Sequence, residues 1–369
     1  MNKRVAISSV GAVAFAAVIS MVVSTPAWAT TSVNLPNDQT INSAGTALMS
    51  YGVAMSSDGT VYQSHFSANS IDVYATGADG TVTPTRVISG ANTLISGPGG
   101  MGFGPNGELF VASYLTNKVL VFAPGADGDV APIHTIDVGS IYPMGLSVSA
   151  TGRLAVGGHS GTVVVDNPLT DSTPTINLTD YWLTDQNEGV VWDNDGGLYS
   201  GKPGYNTIVY LAPGFTASST PTRSLNIGRM PWGLAYDTVE DNLIVQSSSQ
   251  IYRYAKDADG MSPEPLETFS STDTPIEWAY GIYLQGCNFV AGNQGSPGVI
   301  GVYEWQTASC VQARNTSGSG SDPETNSGSS ETGVLANTGL SVATVGVASA
   351  LLVAGGIGAL SVSRRRRRS

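Results

Sequence analysis

A glycine followed by a large apolar residue returns six times through the middle of this chain: Gly52-Val53, Gly102-Phe103, Gly145-Leu146, Gly189-Val190, Gly233-Leu234 and Gly281-Ile282. The intervals are 50, 43, 44, 44 and 48 residues. A polar turn follows at a near-constant distance, as Ser57-Asp58-Gly59, Pro105-Asn106-Gly107, Ala150-Thr151-Gly152 and Asn194-Asp195-Gly196. Next come a short apolar run (Leu109-Phe110-Val111-Ala112) and a third (Val119-Leu120-Val121-Phe122, matched by Ile71-Asp72-Val73-Tyr74 and Ile208-Val209-Tyr210). The loop Gly77-Ala78-Asp79-Gly80 is then nearly repeated as Gly125-Ala126-Asp127-Gly128, each leading to a fourth run at Arg86-Val87-Ile88 or His134-Thr135-Ile136.

Four short strands in a period of about 44 residues make one blade of a β-propeller. Strand-forming runs bounded by Gly, Asn and Asp turns, with almost no helical periodicity, agree. One blade cannot bury both faces, so six units are expected to close around an axis as an all-β, six-bladed β-propeller over residues 30–314. The sixth unit has no obvious fourth strand. Gln39-Thr40-Ile41-Asn42, ahead of the first glycine, matches that position, so the N-terminal strand is expected to close the last blade. Cys287, in a first-to-second turn, and Cys310, after the third strand, fall on the same side of that blade, and a disulfide between them is favoured over two free thiols.

The ends carry different information. Asn2-Lys3-Arg4, an apolar stretch and Ala27-Trp28-Ala29 predict a signal peptide over residues 1–29. Residues 315–334 are rich in Ser, Gly, Asp and Glu and read as a flexible spacer. Residues 340–363 hold no charge over a length that can span a bilayer, and a basic tail, 364–369, begins with five arginines. Immediately before that span stand Leu335, Ala336, Asn337, Thr338 and Gly339. This order resembles the sorting signal of Gram-positive surface proteins, with Ala336 where the commoner motif has proline. The resemblance implies that a sortase cuts between Thr338 and Gly339 and joins the threonine carbonyl to a peptidoglycan amine. The partners it implies are sortase and peptidoglycan, and the expected location is the cell wall, reached through a transient membrane-spanning precursor.

Charge narrows the remaining partners. Two of the 16 Lys and Arg lie in the leader and five in the tail, leaving nine against 28 Asp and Glu, a net charge of −19 between the processing segments. Such a surface repels nucleic acid and anionic lipid. A monomer with an extracellular ligand or protein partner is expected.

The units resemble NHL-type propellers, in particular secreted bacterial ones with a Gly-Ala-x-Gly-x-x-x-Pro loop between outer strands. That resemblance covers about residues 30–310 and implies the fold, not an activity. A propeller's usual site is the channel mouth on the face of the fourth-to-first and second-to-third connections. Residues just ahead of the repeat glycines point there: Tyr51, Met101, Met144, Glu188, Trp232 and Tyr280, with Asp185, Glu277 and Trp278 nearby. The second-to-third connections add His65, Tyr114, Asn117, His159, Tyr205 and Asn206. The binding residues singled out are Tyr51, Glu188, Trp232, Tyr280, Trp278, His65 and His159. An aromatic rim with a few carboxylates suits a sugar, a peptide or an aromatic ligand, although aromatics also fill the space between blades. Glu188 is the lone acid at its phase, and a carboxylate in a narrow channel is desolvated unless paired. Aligning units puts His65 opposite Ser113 and His159 opposite Tyr114, one residue apart, which argues against a shared metal. Asn69, Asn117 and Asn206 recur at one phase and predict left-handed turns. No zinc spacing, nucleophile elbow or phosphate loop is present.

The reading favoured is a non-catalytic binding propeller without a cofactor. The alternative is a calcium-dependent hydrolase resembling the gluconolactonase and paraoxonase group, with Glu188 as one ligand of a channel calcium. The equivalent positions in the other units hold Tyr, Met, Met, Trp and Tyr. A quinone-dependent sugar dehydrogenase, another six-bladed family, needs basic residues and a histidine in the mouth, which a stock of only nine cations disfavours.

Overall fold

The computed structural model describes residues 31–34, 39–43, 50–178, 189–247, 249–270, 281–292, 299–304 and 310. All of them lie in the first of two compact units, Met1–Ser319. The predicted leader, spacer, sorting motif Leu335 to Gly339, membrane span and basic tail lie outside the described residues.

Six antiparallel sheets follow one another along the chain. Blade 1 is Ser50–Met55, Val61–His65, Ser70–Tyr74 and Arg86–Ser89. Blade 2 is Pro98–Phe103, Leu109–Ser113, Lys118–Phe122 and His134–Asp137. Blade 3 is Pro143–Val148, Leu154–Gly158, Gly161–Val165 and Ile176–Leu178. Blade 4 is Val190–Trp192, Leu198–Lys202, Thr207–Leu211 and Arg223–Asn226. Blade 5 is Gly233–Asp237, Asn242–Ser247, Gln250–Ala255 and Glu267–Ser270. Blade 6 is Ile282–Gln285, Asn288–Gly292 and Val299–Glu304, completed by Gln39–Ser43 from the N-terminal side. In that last pairing Ile41 stands opposite Ile300, and both are fully buried. First strands touch in the cycle blade 1 to 2, 2 to 3, 3 to 4, 4 to 5, 5 to 6 and 6 back to 1, which closes the ring.

The first strands crowd the axis, and this explains the recurring glycine. A Cβ on Gly52 would stand 2.4 Å from the Gly99 carbonyl oxygen, and one on Gly100 would stand 2.8 Å from that of Met144. The second of these corrects the repeat. Phe103 pairs with Leu109 across a turn of the same length as those joining Met55 to Val61 and Val148 to Leu154. Gly100, not Gly102, is therefore the counterpart of Gly52, and the residue ahead of it is Gly99 rather than Met101. Blades 1 and 2 carry the same register break, between Ser50 and Val53 and between Pro98 and Met101, which agrees with that alignment.

Apolar clusters fill the gaps between neighbouring blades. One joins Leu120, Phe122 and Val111 of blade 2 to Ile71 and Val73 of blade 1, and another joins Tyr199 and Tyr210 of blade 4 to Leu243 and Val245 of blade 5. Burying each such side chain contributes about 1.5–3 kcal/mol. A second device acts at the rim. The Asp-Gly loops of blades 1 and 5 add a short fifth strand, parallel to the outer strand of the preceding blade: Gly80–Val82 on Gln39–Ser43, and Gly260–Met261 on Arg223–Asn226. Gly128 of blade 2 makes a single parallel bridge to Ile88. The loop aspartates finish the clasp. Asp79, Asp127 and Asp259 accept hydrogen bonds from the backbone N–H groups of Thr40 (2.9 Å), Val87 (3.1 Å) and Ser224 (2.8 Å). These loops are joints between blades as well as turns. On blade 5 the fifth strand is Thr31–Asn34, parallel to Glu267–Ser270, so the N-terminal segment serves two blades in succession.

Candidate functional site

The ring has two faces. The upper carries the fourth-to-first and second-to-third connections, and the lower carries the first-to-second and third-to-fourth. Second strands rise from lower to upper, and their composition changes along the way. Their lower ends are Val61, Leu109, Leu154, Leu198, Leu243 and Phe289, all buried and apolar. Towards the upper end stand Gln63, His65, Ser113, Ser200, Lys202, Gln246 and Ser247, equally buried but polar. Among these, Gln63 Nε2, His65 Nδ1, Ser200 Oγ, Ser247 Oγ and both amide atoms of Gln246 have no hydrogen-bond partner among the described residues. A buried polar group left unanswered costs about 1–3 kcal/mol, so a belt of them under one mouth marks a place built for water or ligand.

Above this belt runs an arc of rings. Tyr51 lies 4.8 Å from Phe66, Phe66 lies 5.6 Å from Tyr114, and Tyr114 lies 5.5 Å from Tyr142 and 5.2 Å from His159, centroid to centroid. The Tyr114 hydroxyl and His159 Nδ1 share a hydrogen bond of 3.1 Å, and burial lowers the His159 pKa, keeping the ring neutral. Phe66, Tyr114 and His159 each directly follow the second strand of their blade. The connection turns there because Asn69 and Asn117 adopt left-handed φ of 54° and 56°. Their side-chain oxygens then accept the N–H groups of Gly97 (2.7 Å) and Tyr142 (2.8 Å) from the next blade, tying one connection to the next. Asn206 has the same backbone, φ 55°. Tyr142 itself has φ 54° and is 42% exposed, a strained and solvent-facing tyrosine held by its neighbour's amide.

Tyr51 and His159 thus come together as the sequence places them. Trp232 is half-buried on the same face, its backbone N–H donating to the Gln246 carbonyl. His65 is a correction. It is 1% exposed inside blade 1, where Nε2 donates to Asp72 Oδ2 at 3.1 Å, because the last residue of the strand points inward and the next one reaches the rim. That next residue is Phe66, which sequence reasoning passed over although its alignment with Tyr114 was readable. Tyr142, three residues ahead of a repeat glycine, was also missed. His134, on an outer strand, donates from Nε2 to the Asp171 carbonyl of the next blade at 3.1 Å. Glu188, Trp278 and Tyr280, with Asp185 and Glu277, lie outside the described residues.

The channel between the mouths is a cavity of about 180 Å³ lined by glycines and apolar side chains, among them Val53, Met101, Leu146, Val190, Leu234 and Ile282. Among the described residues no three His, Cys, Asp or Glu side chains converge as a metal site would require. It opens downward into a wider mouth of about 700 Å³, on the face opposite the one expected from the sequence.

The lower face is also where the ring is fastened between blades 4 and 5. Tyr236 donates to Asp241 at 2.8 Å, Lys256 donates to Asp241 at 3.0 Å and to Asp195, and Tyr210 donates to Asp193 at 2.7 Å. Burial first, then the bond to Asp193, pushes the Tyr210 phenol up to about 12. The same two causes, with Asp241 as partner, raise Tyr236 further. Bonds to Asp195 and Asp241 raise Lys256. Burial would raise Asp241, but the bonds from Lys256 and Tyr236 outweigh it and hold that carboxyl below its usual range. Third strands descend, so Val299–Glu304 ends on this face, and the chain beyond it is pinned there by the Cys287–Cys310 disulfide, with Cα atoms 5.5 Å apart.

No family model matches the sequence, and no curated protein is similar enough to count as a relative. Solved structures do share the architecture. Virginiamycin B lyase from Staphylococcus aureus is similar over 72% of this chain and 98% of its own, with 13% identity and a TM-score of 0.50. A chain of the mitotic checkpoint complex is similar over 82% of this chain and 99% of its own, with 12% identity and a TM-score of 0.51. At these identities the likeness shows the fold alone.

Proposed function

We propose that this six-bladed propeller is displayed on a Gram-positive cell wall and that its upper face presents a non-catalytic binding surface for an extracellular protein or glycan. The observation that carries the binding half is the arc Tyr51, Phe66, Tyr114, Tyr142 and His159, with its strained, exposed tyrosine above a belt of buried polar groups. Backbone strain costs about 1–3 kcal/mol and persists where function needs the geometry. The anchoring half rests on the order of Leu335 to Gly339, an uncharged span and the arginine tail.

Two experiments test the two halves separately. In cells, Thr338→Ala should move the protein from the muralytic-digest fraction to the membrane fraction and the medium. A wall-bound fraction that survives the substitution contradicts sorting at Thr338. For the surface, displayed Tyr142→Ala and Phe66→Ala variants should lose about tenfold in binding to matrix proteins or glycan arrays, roughly one well-placed aromatic contact. Equal binding by all three forms contradicts the arc as the contact. Calcium should leave the melting temperature unchanged. A rise on adding calcium would return the lactonase-like alternative, with Glu188 as its first candidate ligand.

A further inference from the structure

The lower mouth is a second candidate site, distinct from the arc and on the opposite face. Three rings, Tyr62, Phe103 and Tyr283, stand together on one side of it, with Phe103 5.1 Å from Tyr62 and 6.3 Å from Tyr283. Tyr236 lines another part, and Ser149 and Thr238 bring hydroxyls to the rim. Its volume of about 700 Å³ falls within the range of small-molecule pockets.

The charges at this mouth are already engaged. Arg86 donates to the Ala126 carbonyl at 2.7 Å and to the Tyr62 hydroxyl at 2.9 Å, and lies over the Tyr62 ring. Asp58 accepts from Ser56 Oγ at 2.5 Å and from the Thr60 N–H at 3.1 Å. A charged ligand would compete with these bonds. A neutral ligand with apolar faces and many hydroxyls would not: a ring face can lie on half-buried Phe103 or Tyr283, Tyr62 being buried beneath Arg86, while its edges meet Thr238 and the turn backbones. We propose that the lower mouth binds a neutral oligosaccharide. Under the anchoring proposed above the propeller stands beside the wall, so the wall's own glycan is the nearest source.

The test uses the full-length protein in detergent, with the N-acetylglucosamine tetramer as soluble probe and purified walls as insoluble probe. Thr238→Trp fills the exposed rim without removing a core side chain, and Phe103→Ala removes the central ring. Thr238→Trp should melt within about 2 °C of the parent, which separates occlusion from misfolding. The tetramer should bind the parent and the Tyr142→Ala form equally, and bind Thr238→Trp and Phe103→Ala at least about tenfold more weakly. Absence of tetramer binding, binding indifferent to Thr238→Trp, loss in Tyr142→Ala, or preference for polyglycerol phosphate would overturn the proposal. Pelleting with walls that the tetramer competes away supports the wall as source; tetramer binding without such competition keeps the pocket and rejects the wall. Failure of anchoring is read independently by the fractionation of Thr338→Ala.

Discussion

The joint between blades 4 and 5 and the joint between blades 6 and 1 use the same clasp and differ in what it holds. At both, an Asp-Gly loop lays a parallel strand on the preceding blade, and its aspartate accepts a backbone N–H, Asp259 from Ser224 and Asp79 from Thr40. Blade 4 supplies its own outer strand, and phenols, carboxylates and Lys256 buttress that joint. Blade 6 borrows its outer strand from the other end of the chain, so the clasp there grips a segment with no covalent link to its blade nearby. Closing so long a loop adds only logarithmically to the entropic cost. The closure joint is nonetheless the place where one strand's departure opens the whole ring.

The largest effect should come from removing residues 30–43, which takes the outer strand of blade 6 and the fifth strand of blade 5 together. Cooperative thermal unfolding should disappear in calorimetry, because the loss approaches the whole stability of about 5–15 kcal/mol. A sharp, only modestly lowered transition would mean that the ring does not depend on this strand. Next comes the double Cys287→Ser, Cys310→Ser variant. It opens a loop of 23 residues and should lose about 3 kcal/mol in urea titration, more than any single substitution at the blade 4–5 clasp.

Replacing the clasp aspartates ranks third. Asp79→Ala, Asp127→Ala and Asp259→Ala should each cost about 1 kcal/mol and add nearly independently, being far apart on the rim. Asp79→Ala should in addition raise proteolysis near residues 35–43, whereas Asp259→Ala should not expose blade 4. The smallest effect is alkaline. Tyr236 and Lys256 have raised pKa values, so their stabilisation is complete below their unfolded values of 10.0 and 10.5 and is lost as pH rises through the folded ones. The melting temperature should therefore fall above about pH 10. Tyr236→Phe, which cannot ionise, should flatten that fall. Tyr74 at the closure joint is also raised, to about 12 by burial, so Tyr74→Phe should flatten the fall less, one phenol against a coupled group.

The blade count, the strands and the closing role of Gln39–Ser43 were legible because they rest on period, alternation and turn chemistry, which are local. Asn69 and Asn117 gave up their left-handed backbone for the same reason. The phase of blade 2 was misjudged because Gly99, Gly100 and Gly102 all fit a glycine count; the seven-residue step from Gly52 to Gly59, repeated from Gly100 to Gly107, distinguishes them. His65 was placed on the rim because polarity suggested exposure, whereas Asp72 on the adjacent strand satisfies it inside. The clasp was invisible as such. Asp79 and Asp127 look like turn residues in one blade's sequence, and their partners belong to another blade. The lower mouth was missed because it is formed by the ends of several first strands, none unusual alone.

Amide hydrogen exchange at Gln39–Ser43 tests the closed ring most directly. If the N-terminal strand completes blade 6, its amides should be protected to the same free energy as those of Lys118–Phe122 in blade 2 and should be released together with Val299–Glu304. Rapid exchange at Gln39–Ser43 while Val299–Glu304 stays protected would contradict a ring fastened by that strand.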